Sequence, residues 1–279
     1  MSAKEQFKAN FLATPNPHSN IKKIFAIVSG KGGVGKSLVT SLTAVELRRR
    51  GYNVGILDAD ITGPSIPQIF QLEGPLYSSD EGIIPAVTRT GIQVVSSNLI
   101  VEDKSAPIIW RSPILTQLIK QFYSDVFWGE LDYLLVDLPP GTGDVPLTVF
   151  QSLPLNGIVV VTTPQDLVSL IVEKAINMAD QMEIPMLGIV ENMSYVVCPN
   201  CGEHIQLFSS KKSYINDYQP IAKLPLNGEL AELCDEGRLE ENNVNYLDVF
   251  SRSRKVHYLQ LYRRSYSLSD LQLQKDRQF

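Results

Sequence analysis

Hydrophobic residues along this chain fall into short, nearly continuous runs that are bounded by turn residues. The runs are rich in Ile, Val and Leu, and they lie at Ile24–Ser29, Val54–Leu57, Gln93–Ser97, Tyr133–Val136, Ile158–Thr162 and Leu187–Val190. Strands with one solvated face alternate apolar and polar residues, whereas continuous runs are typical of strands covered on both faces. The pattern therefore predicts a mainly parallel sheet that is flanked by helices.

Between these strands the apolar residues recur at helical spacing. The predicted helices are Lys36–Arg50, Ser112–Phe127 and Asp166–Met182, with a shorter helix at Gly228–Glu236. The first of them closes on three arginines and is followed by Gly51, which is a typical helix stop. Strands and helices that alternate in this way predict a doubly wound α/β fold. Pro75–Ile84 is predicted to form a hairpin around Glu81-Gly82.

Composition and charge narrow the class of protein. The chain has 279 residues, of which 44% are hydrophobic and 20% charged, and this composition excludes global disorder. A net charge of −5 argues against nucleic acid as the main partner. We expect one α/β domain over residues 1–279, with an N-terminal extension (1–22). A basic tail (251–279) carries seven Lys and Arg against two Asp and Glu.

The cysteine count and the lengths of the apolar runs indicate the cellular compartment of the protein. Three cysteines are too few for a disulfide framework, which favours a reducing compartment. No apolar run reaches the ~18 residues of a membrane-spanning helix, and Met1–Pro17 lacks the apolar core of a signal peptide. We therefore expect a cytoplasmic protein without stable membrane insertion.

A phosphate-binding loop follows the first predicted strand and opens the first long helix. Its residues are Gly30, Lys31, Gly32, Gly33, Val34, Gly35, Lys36 and Ser37, which match the pattern GxxxxGK[ST]. Glycines let successive backbone N–H groups turn inward around an anion, and the helix N-terminus adds its positive dipole end. Lys36 is expected to reach the β- and γ-phosphates of ATP, and Ser37 to bind Mg²⁺.

Two features of this loop lead to further expectations. Lys36 is expected to be a surface side chain, so that replacing it by alanine abolishes nucleotide turnover while the fold is retained. The loop also contains a second lysine, Lys31, which the phosphates of the same chain do not require. Such a residue can point outward to a nucleotide held by another chain, as an arginine finger does. A solvated surface lysine is the alternative.

Acidic residues follow two of the predicted strands. Asp58 and Asp60 end the second strand, and Asp137 follows four apolar residues that end another. Ligand sites in open α/β sheets lie at the carboxyl ends of strands, so these acids are expected to face the phosphate loop. Asp137 fits the Walker B pattern of a carboxylate that orients the Mg²⁺ shell, and Asp60 is the candidate to position or deprotonate the attacking water. A single strand-end Asp can instead be a helix N-cap.

Cys198 and Cys201 form a CPxCG knuckle, a turn that presents two thiolates to one metal. A tetrahedral zinc ion or a [4Fe–4S] cluster usually takes four protein ligands, so the pair is half of a site. A second chain is the simplest source of the other half. His204 is a weaker candidate for a third ligand, and Cys234 in the Gly228–Glu236 helix is expected to be a buried thiol. A redox pair is the alternative, but such pairs normally sit at a helix N-terminus.

Several motifs stand together over most of the chain, from about Lys22 to Leu239. They are Gly30–Ser37 (GKGGVGKS), Leu57–Pro67 (LDADITGPSIP), Trp110–Pro113 (WRSP), Trp128–Val136 (WGELDYLLV), Asp137–Asp144 (DLPPGTGD), Glu191–Ser194 (ENMS) and Cys198–Gly202 (CPNCG). In this combination the chain resembles the Mrp/ApbC-type iron–sulfur cluster carrier ATPases, which belong to the MinD-like P-loop NTPases with a deviant Walker A loop. It departs from the family pattern at Ser112, where the family usually has glycine.

The resemblance implies roles for particular residues. Lys31 would be the lysine that crosses a homodimer to the partner's nucleotide, Asn192 the adenine contact, and Leu38 part of the nucleotide site. Asp58 would be associated with Mg²⁺ together with Ser37 and Asp137. Cys198 and Cys201, in a loop over residues 195–210, would hold an iron–sulfur cluster, [4Fe–4S] in type, between two chains. Apo iron–sulfur proteins and scaffold proteins would be its partners.

Two other functions remain open from the sequence. A MinD- or ParA-like switch would use the same loop together with a basic tail that binds membrane or DNA. The Cys198–Cys201 pair argues against it, because such a switch needs no thiols. A structural zinc ion that holds a dimer together is the third possibility.

Overall fold

The computed structural model describes residues 12–61, 63–100, 112–165, 170–207 and 220–244. Its strands are β1 (Asn20–Ile21), β2 (Ile24–Ser29), β3 (Val54–Asp58), β4 (Ser78–Ser79), β5 (Gly82–Ile83), β6 (Ala86–Val87), β7 (Gln93–Ser96), β8 (Glu130–Leu131), β9 (Tyr133–Asp137), β10 (Gly157–Thr162), β11 (Met186–Val197), β12 (His204–Ile205) and β13 (Pro220–Pro225). Its helices are α1 (Lys36–Arg49), α2 (Ile66–Ile69), α3 (Ser112–Ser124), α4 (Asp144–Ser152), α5 (Leu170–Gln181) and α6 (Gly228–Asp235).

A central sheet organises the described residues. Its strand order is β12-β11-β10-β2-β9-β3-β7-β6, and β13 pairs with β11 off this path. The strands from β10 to β7 run parallel to their neighbours, as do β11 and β13, whereas β12 and β6 pair antiparallel at the edges. The predicted doubly wound, mainly parallel α/β sheet is confirmed.

Both faces of the sheet are covered, which explains why its strands read as continuous apolar runs. Ile24, Ala26 and Val28 of β2 belong to a buried cluster with residues of α3, α4 and α5. The alternate residues Phe25 and Ile27 point the other way and are also buried, and on that side α1 packs against β2, β3, β9 and β10. Successive side chains of a strand point to opposite faces, so the sheet lies between two helical layers.

The central elements agree with the sequence prediction to within one or two residues. The predicted hairpin at Pro75–Ile84 is present as β4 paired with β5. Helix α5 begins at Leu170, and the four residues before it lie outside the described part of the chain, as does the basic tail. In the described ranges, no helix is both long and apolar enough to cross a membrane.

Strand β11 is the main departure from the prediction. The predicted strand ends at Val190. Instead β11 continues to Val197 and carries Glu191, Asn192 and Ser194 as buried side chains. These polar groups have partners: Ser194 Oγ donates to Glu191, and Lys223 of β13 lies 3.1 Å from the Glu191 carboxylate. The apolar run ends at Val190, but contacts with residues elsewhere in the fold allow the strand to continue beyond it.

Parallel strands bring the predicted chemistry to one edge of the sheet. Asp58 of β3 stands directly opposite Asp137 of β9, and Ile27 of β2 stands on the other side of Asp137. The segment that links β2 to α1 lies at this same edge, because β2 ends at Ser29 and α1 begins at Lys36.

Candidate functional site

The loop between β2 and α1 has the backbone conformation that phosphate binding requires. Gly33 and Gly35 both adopt a φ of +79°, in the left-handed region that favours glycine. A Cβ on Gly35 would also lie 2.2 Å from Nδ2 of Asn192, so no side chain fits there. The loop lines an open cavity of about 300 Å³ together with Asp60, Ser65 and Pro140, at the N-terminus of α1. The cavity lies where the sequence places a nucleotide phosphate site.

Asp137 is the centre of the polar network beneath this cavity. Its side chain is fully buried at the end of β9. Lys36 Nζ and Ser37 Oγ each lie 2.6 Å from Oδ2, while Thr40 Oγ1 donates to Oδ1 at 2.6 Å. A buried carboxylate needs such partners, because desolvation of an unpaired charge is expensive. Thr40 was not predicted, although its place one helical turn after Lys36 puts it on the same side of α1.

The structure corrects one expectation about Lys36. The side chain is not on the surface: only 6% of it is exposed, and it lies between Asp137 and Asp60, whose Oδ2 is 3.7 Å from Nζ. A loop lysine is buried here because two carboxylates at the ends of neighbouring strands surround its ammonium group. Removing the ammonium group leaves the buried charge of Asp137 without its cation. We therefore expect a substitution of Lys36 to lower the free energy of unfolding.

The two acids of β3 and its continuation differ in environment. Asp60 lines the cavity and is partly exposed, as a group that positions water must be. Asp58 is fully buried; its Oδ2 accepts a hydrogen bond from Ser96 Oγ and its Oδ1 one from the Asp60 N–H. Burial, together with the negative charge of Asp137, raises the pKa of Asp58 to about 8. The role of Asp58 toward Mg²⁺ stays a prediction.

Of the remaining predicted nucleotide-binding residues, two line the cavity and one supports the loop from behind. Lys31, which is exposed, and Leu38 both line the cavity. Asn192 is buried and donates from Nδ2 to the Val34 carbonyl at 2.9 Å, so it supports the loop from β11. Its contact with adenine stays a prediction. Trp110 and Arg111 of the WRSP motif lie outside the described residues.

Cys198 and Cys201 lie in the turn between β11 and β12. The turn is closed by backbone hydrogen bonds from the Cys198 N–H to the Glu203 carbonyl and from the Gly202 N–H to the Cys198 carbonyl, each 2.9 Å long. Gly202 has a φ of +74°, which eases the tight turn. Backbone N–H groups of Cys201 and Asn200 lower the pKa of the Cys198 thiol below its usual value. Cys198 is partly exposed and Cys201 exposed, and a solvent-accessible thiol of lowered pKa is a typical metal ligand.

The other candidate ligands are placed differently. The His204 ring stacks on Tyr195, with ring centroids 4.2 Å apart and an interplanar angle of 20°. Cys234 is only partly buried on α6, less than expected for a core thiol, and burial raises its pKa to about 11. Within the described ranges no three His, Cys, Asp or Glu side chains are grouped to hold a metal ion. The described part of one chain thus offers a pair of thiols.

Comparison with known proteins gives consistent names. A family model described as the NUBPL iron-transfer P-loop NTPase (ParA) matches residues 20–255. The iron-sulfur cluster carrier protein of Clostridium perfringens is 45% identical over 237 residues, which are 80% of this chain and 83% of the relative. The cytosolic Fe-S cluster assembly factor CFD1 of Saccharomyces cerevisiae is 46% identical over 200 residues, 69% of this chain and 68% of the relative.

Solved structures share the fold of this chain. A nucleotide-binding protein of Archaeoglobus fulgidus in complex with ADP is 47% identical, with a TM-score of 0.74, and the match covers 82% of this chain and 92% of that one. The cell division ATPase MinD of Pyrococcus furiosus has a TM-score of 0.58 at 19% identity, over 84% of this chain and 96% of that one. The second likeness shows the fold alone.

Proposed function

The chain belongs to the NUBPL iron-transfer P-loop NTPase family, and on this basis we propose that it is an ATP-hydrolysing carrier of iron–sulfur clusters. In this proposal two copies of the chain hold one cluster between them and pass it to apo-proteins, with scaffold proteins as further partners. Relatives named as cluster carriers and as a cytosolic assembly factor support it, and also support a cytoplasmic location. The carrying observation is the thiol pair in the turn that follows β11, the strand whose Asn192 also contacts the phosphate loop.

The nucleotide half of the proposal rests on the loop and its acids. In this proposal the backbone of residues 30–35 and the ammonium group of Lys36 bind the phosphates of ATP. Asp60 orients or deprotonates the attacking water, which its position at the cavity wall, 3.7 Å from Lys36, supports. Because Lys36 already contacts Asp137, an arriving phosphate competes with this carboxylate for the lysine.

Oxygen donors beside the loop fit a magnesium ion. Ser37 Oγ and Asp137 Oδ2 lie 2.6 Å apart, and hydroxyl and carboxylate oxygens are ligands that Mg²⁺ prefers. When bound with ATP, the ion supplies charge neutralisation at the transferred phosphoryl group. Ser37 and Asp137 would hold it, with Asp58 behind them as a buried neighbour of Asp137.

The cluster half rests on the Cys198–Cys201 turn. Two thiols per chain are half of a four-ligand site, and a two-fold axis through the turn supplies the other half from a second copy. Exposed apolar side chains of Val197 and Ile205 flank the cysteines and suit a surface that a second chain covers. Lys31 would reach across the same dimer to the partner's nucleotide.

Cluster binding is tested by anaerobic reconstitution of the full chain with iron and sulfide. We expect iron and sulfide to bind with the visible absorption of a cluster, and the protein mass to double on loading. Cys198→Ala should lose both effects, whereas Cys234→Ala, a matched removal of a thiol outside the turn, should retain them. A protein that takes up no iron, or that takes up as much without Cys198, would refute the proposal. Stoichiometric zinc that ATP does not loosen would favour a structural role instead.

Nucleotide turnover is tested by substitution of the two loop lysines. Lys36→Ala should reduce ATP hydrolysis by at least ~100-fold, because one preorganised charge contact to the phosphates is lost. It should also lower the free energy of unfolding by ~3 kcal/mol, because the buried Asp137 loses its cation.

Lys31→Ala provides the contrasting case. It should impair hydrolysis while ADP binding is partly retained and the thermal midpoint is unchanged, since Lys31 is exposed. Steady-state hydrolysis, ADP titration and thermal denaturation measure these effects. Normal hydrolysis by Lys36→Ala would show that the phosphate site has been assigned wrongly.

A further inference from the structure

Thr40 lies in the polar network of Asp137 but has no role in the function described so far. It is fully buried on α1, one helical turn after Lys36. Its Oγ1 lies 2.6 Å from Asp137 Oδ1 and 3.1 Å from the Lys36 carbonyl. The side chain therefore contacts one oxygen of the Asp137 carboxylate, while Lys36 and Ser37 contact the other.

The hydroxyl of Thr40 has one proton and two acceptors within reach. A threonine in a helix commonly donates to the carbonyl four residues before it. Here the carboxylate is both closer and charged, and hydrogen bonds to charged acceptors are roughly twice as strong as neutral ones. The proton is accordingly placed on the line to Asp137, and the carbonyl contact is secondary.

The bond to Thr40 restrains a torsion that is otherwise soft. The terminal torsion of an aspartate is broad rather than confined to sharp staggered wells. With Oδ1 held by Thr40, Oδ2 faces Ser37 and Lys36, which line the cavity. Without that bond, the carboxylate can rotate and share its two oxygens differently between these donors.

We propose that Thr40 is a positioning residue that fixes the Asp137 carboxylate for magnesium, and so sets how strongly nucleotide binding depends on Mg²⁺. This inference rests on the nucleotide half of the proposed function. Partners that orient a metal-binding carboxylate typically change metal affinity by about 10- to 100-fold when they are removed.

The same helix offers a matched control in Thr43. It is also a buried threonine, and its Oγ1 donates to the Val39 carbonyl at 2.7 Å. Thr43→Val therefore removes a buried hydroxyl from α1, as Thr40→Val does, but leaves Asp137 untouched. Effects of helix propensity and of buried volume are shared by the two substitutions.

The test uses the full chain and a fluorescent ADP analogue, titrated with Mg²⁺ and, separately, measured in EDTA. For Thr40→Val we expect the Mg²⁺ concentration at half-maximal effect to rise about 10-fold or more. Affinity in EDTA should change much less than this, because the glycine loop and the Lys36 side chain are both retained. Thr40→Ser should restore the wild-type Mg²⁺ dependence, and Thr43→Val should not alter it. The activation constant of ATP hydrolysis for Mg²⁺ should move in parallel.

An unchanged Mg²⁺ dependence in Thr40→Val, or an equal shift in Thr43→Val, would overturn the inference and leave Thr40 with a structural role. If Thr40→Val does not fold, Thr40→Ala removes the same hydroxyl and is compared with Thr40→Ser. A wild-type chain that does not bind the analogue, or binds it without regard to Mg²⁺, would overturn the nucleotide half of the proposed function and this inference with it. Failure confined to the Thr40 variants leaves the proposed function intact.

Discussion

At the scale of single residues, burial determines how the charged groups of the site behave. Asp58 and Asp137 are fully buried side by side at the ends of β3 and β9, and Lys36 is almost as deeply buried. The sequence predicts that these residues belong to one site, because strand ends of a parallel sheet share an edge. It does not predict their burial, which depends on how α1 and the neighbouring strands close over them.

Local environment also separates Cys198 from Cys234 by reactivity. The backbone N–H groups of Cys201 and Asn200 lower the pKa of Cys198, whereas burial raises that of Cys234 to about 11 from 9.0. Since the thiolate is the reactive form, Cys234 should hold about 100-fold less thiolate at neutral pH than an ordinary thiol. We expect iodoacetamide to modify Cys198 long before Cys234 in metal-free protein. As the pH is raised, the alkylation rate at Cys198 should reach its plateau at a lower pH than the rate at Cys234 does.

Mass spectrometry of partly alkylated, metal-free protein measures these rates. In denaturant the rates at Cys198 and Cys234 should converge, because the differences come from the folded structure. Equal rates in the folded protein would contradict the environments described for the two thiols.

At the scale of elements, β11 joins the two halves of the site. Its Asn192 supports the phosphate loop and its end leads into the cysteine turn. The sequence predicts only the first, apolar part of this strand. The rest could not be predicted from local hydrophobicity, because its polar residues Glu191 and Ser194 are satisfied by each other and by Lys223 of β13, far away in the chain.

The contact of Asn192 with the Val34 carbonyl predicts the effect of Asn192→Ala. Loss of one hydrogen bond, worth ~1 kcal/mol, should weaken ADP and GDP binding by about the same factor, roughly 5-fold, since the bond acts through the loop. Titration with both nucleotides measures this. A loss confined to ADP would instead support the contact with adenine that the family resemblance implies.

At the scale of the whole molecule, the Glu240 carboxylate links the C-terminal part of the described chain to the turn between β6 and β7. Glu240 Oε1 accepts hydrogen bonds from Thr88 Oγ1 at 2.6 Å and from the Thr90 N–H at 3.1 Å, and also from Thr90 Oγ1. Arg49 at the end of α1 donates to the carbonyls of Glu240 and Asn242. The contacts of Glu240 join residues that are about 150 positions apart in sequence, and those of Arg49 join residues about 190 apart.

Glu240→Ala should therefore lower the free energy of unfolding by ~1–3 kcal/mol, because three donors lose their acceptor. Glu241→Ala is the matched control: its ion pairs with Arg238 and Arg89 are exposed, and exposed pairs contribute at most ~1 kcal/mol. ATP hydrolysis should be unchanged in both variants. Urea denaturation of the two variants measures the difference, and equal losses would show that Glu240 is not the linking residue.

The sequence predicts the centre of this fold better than its margins. The long buried strands β2, β3, β9 and β10 and helix α1 carry strong local signals and are found where the prediction puts them. Two-residue strands such as β1, β6, β8 and β12 carry no such signal, because their existence depends on pairing with distant partners. For example, β1 pairs with β8, which lies 110 residues further along the chain.

The position of Asn192 on β11 has a mechanical consequence. Cys198 lies six residues further along the chain, just after β11 ends, and at ~3.3 Å per residue the intervening segment is a lever arm of at most about 20 Å. A tilt of only about 3° at the loop end of such an arm displaces the thiols by about 1 Å. Metal–sulfur bonds hold their lengths to within ~0.2 Å. In the proposed dimer, where two chains hold one cluster, a small movement of either phosphate loop would therefore change the metal–sulfur distances.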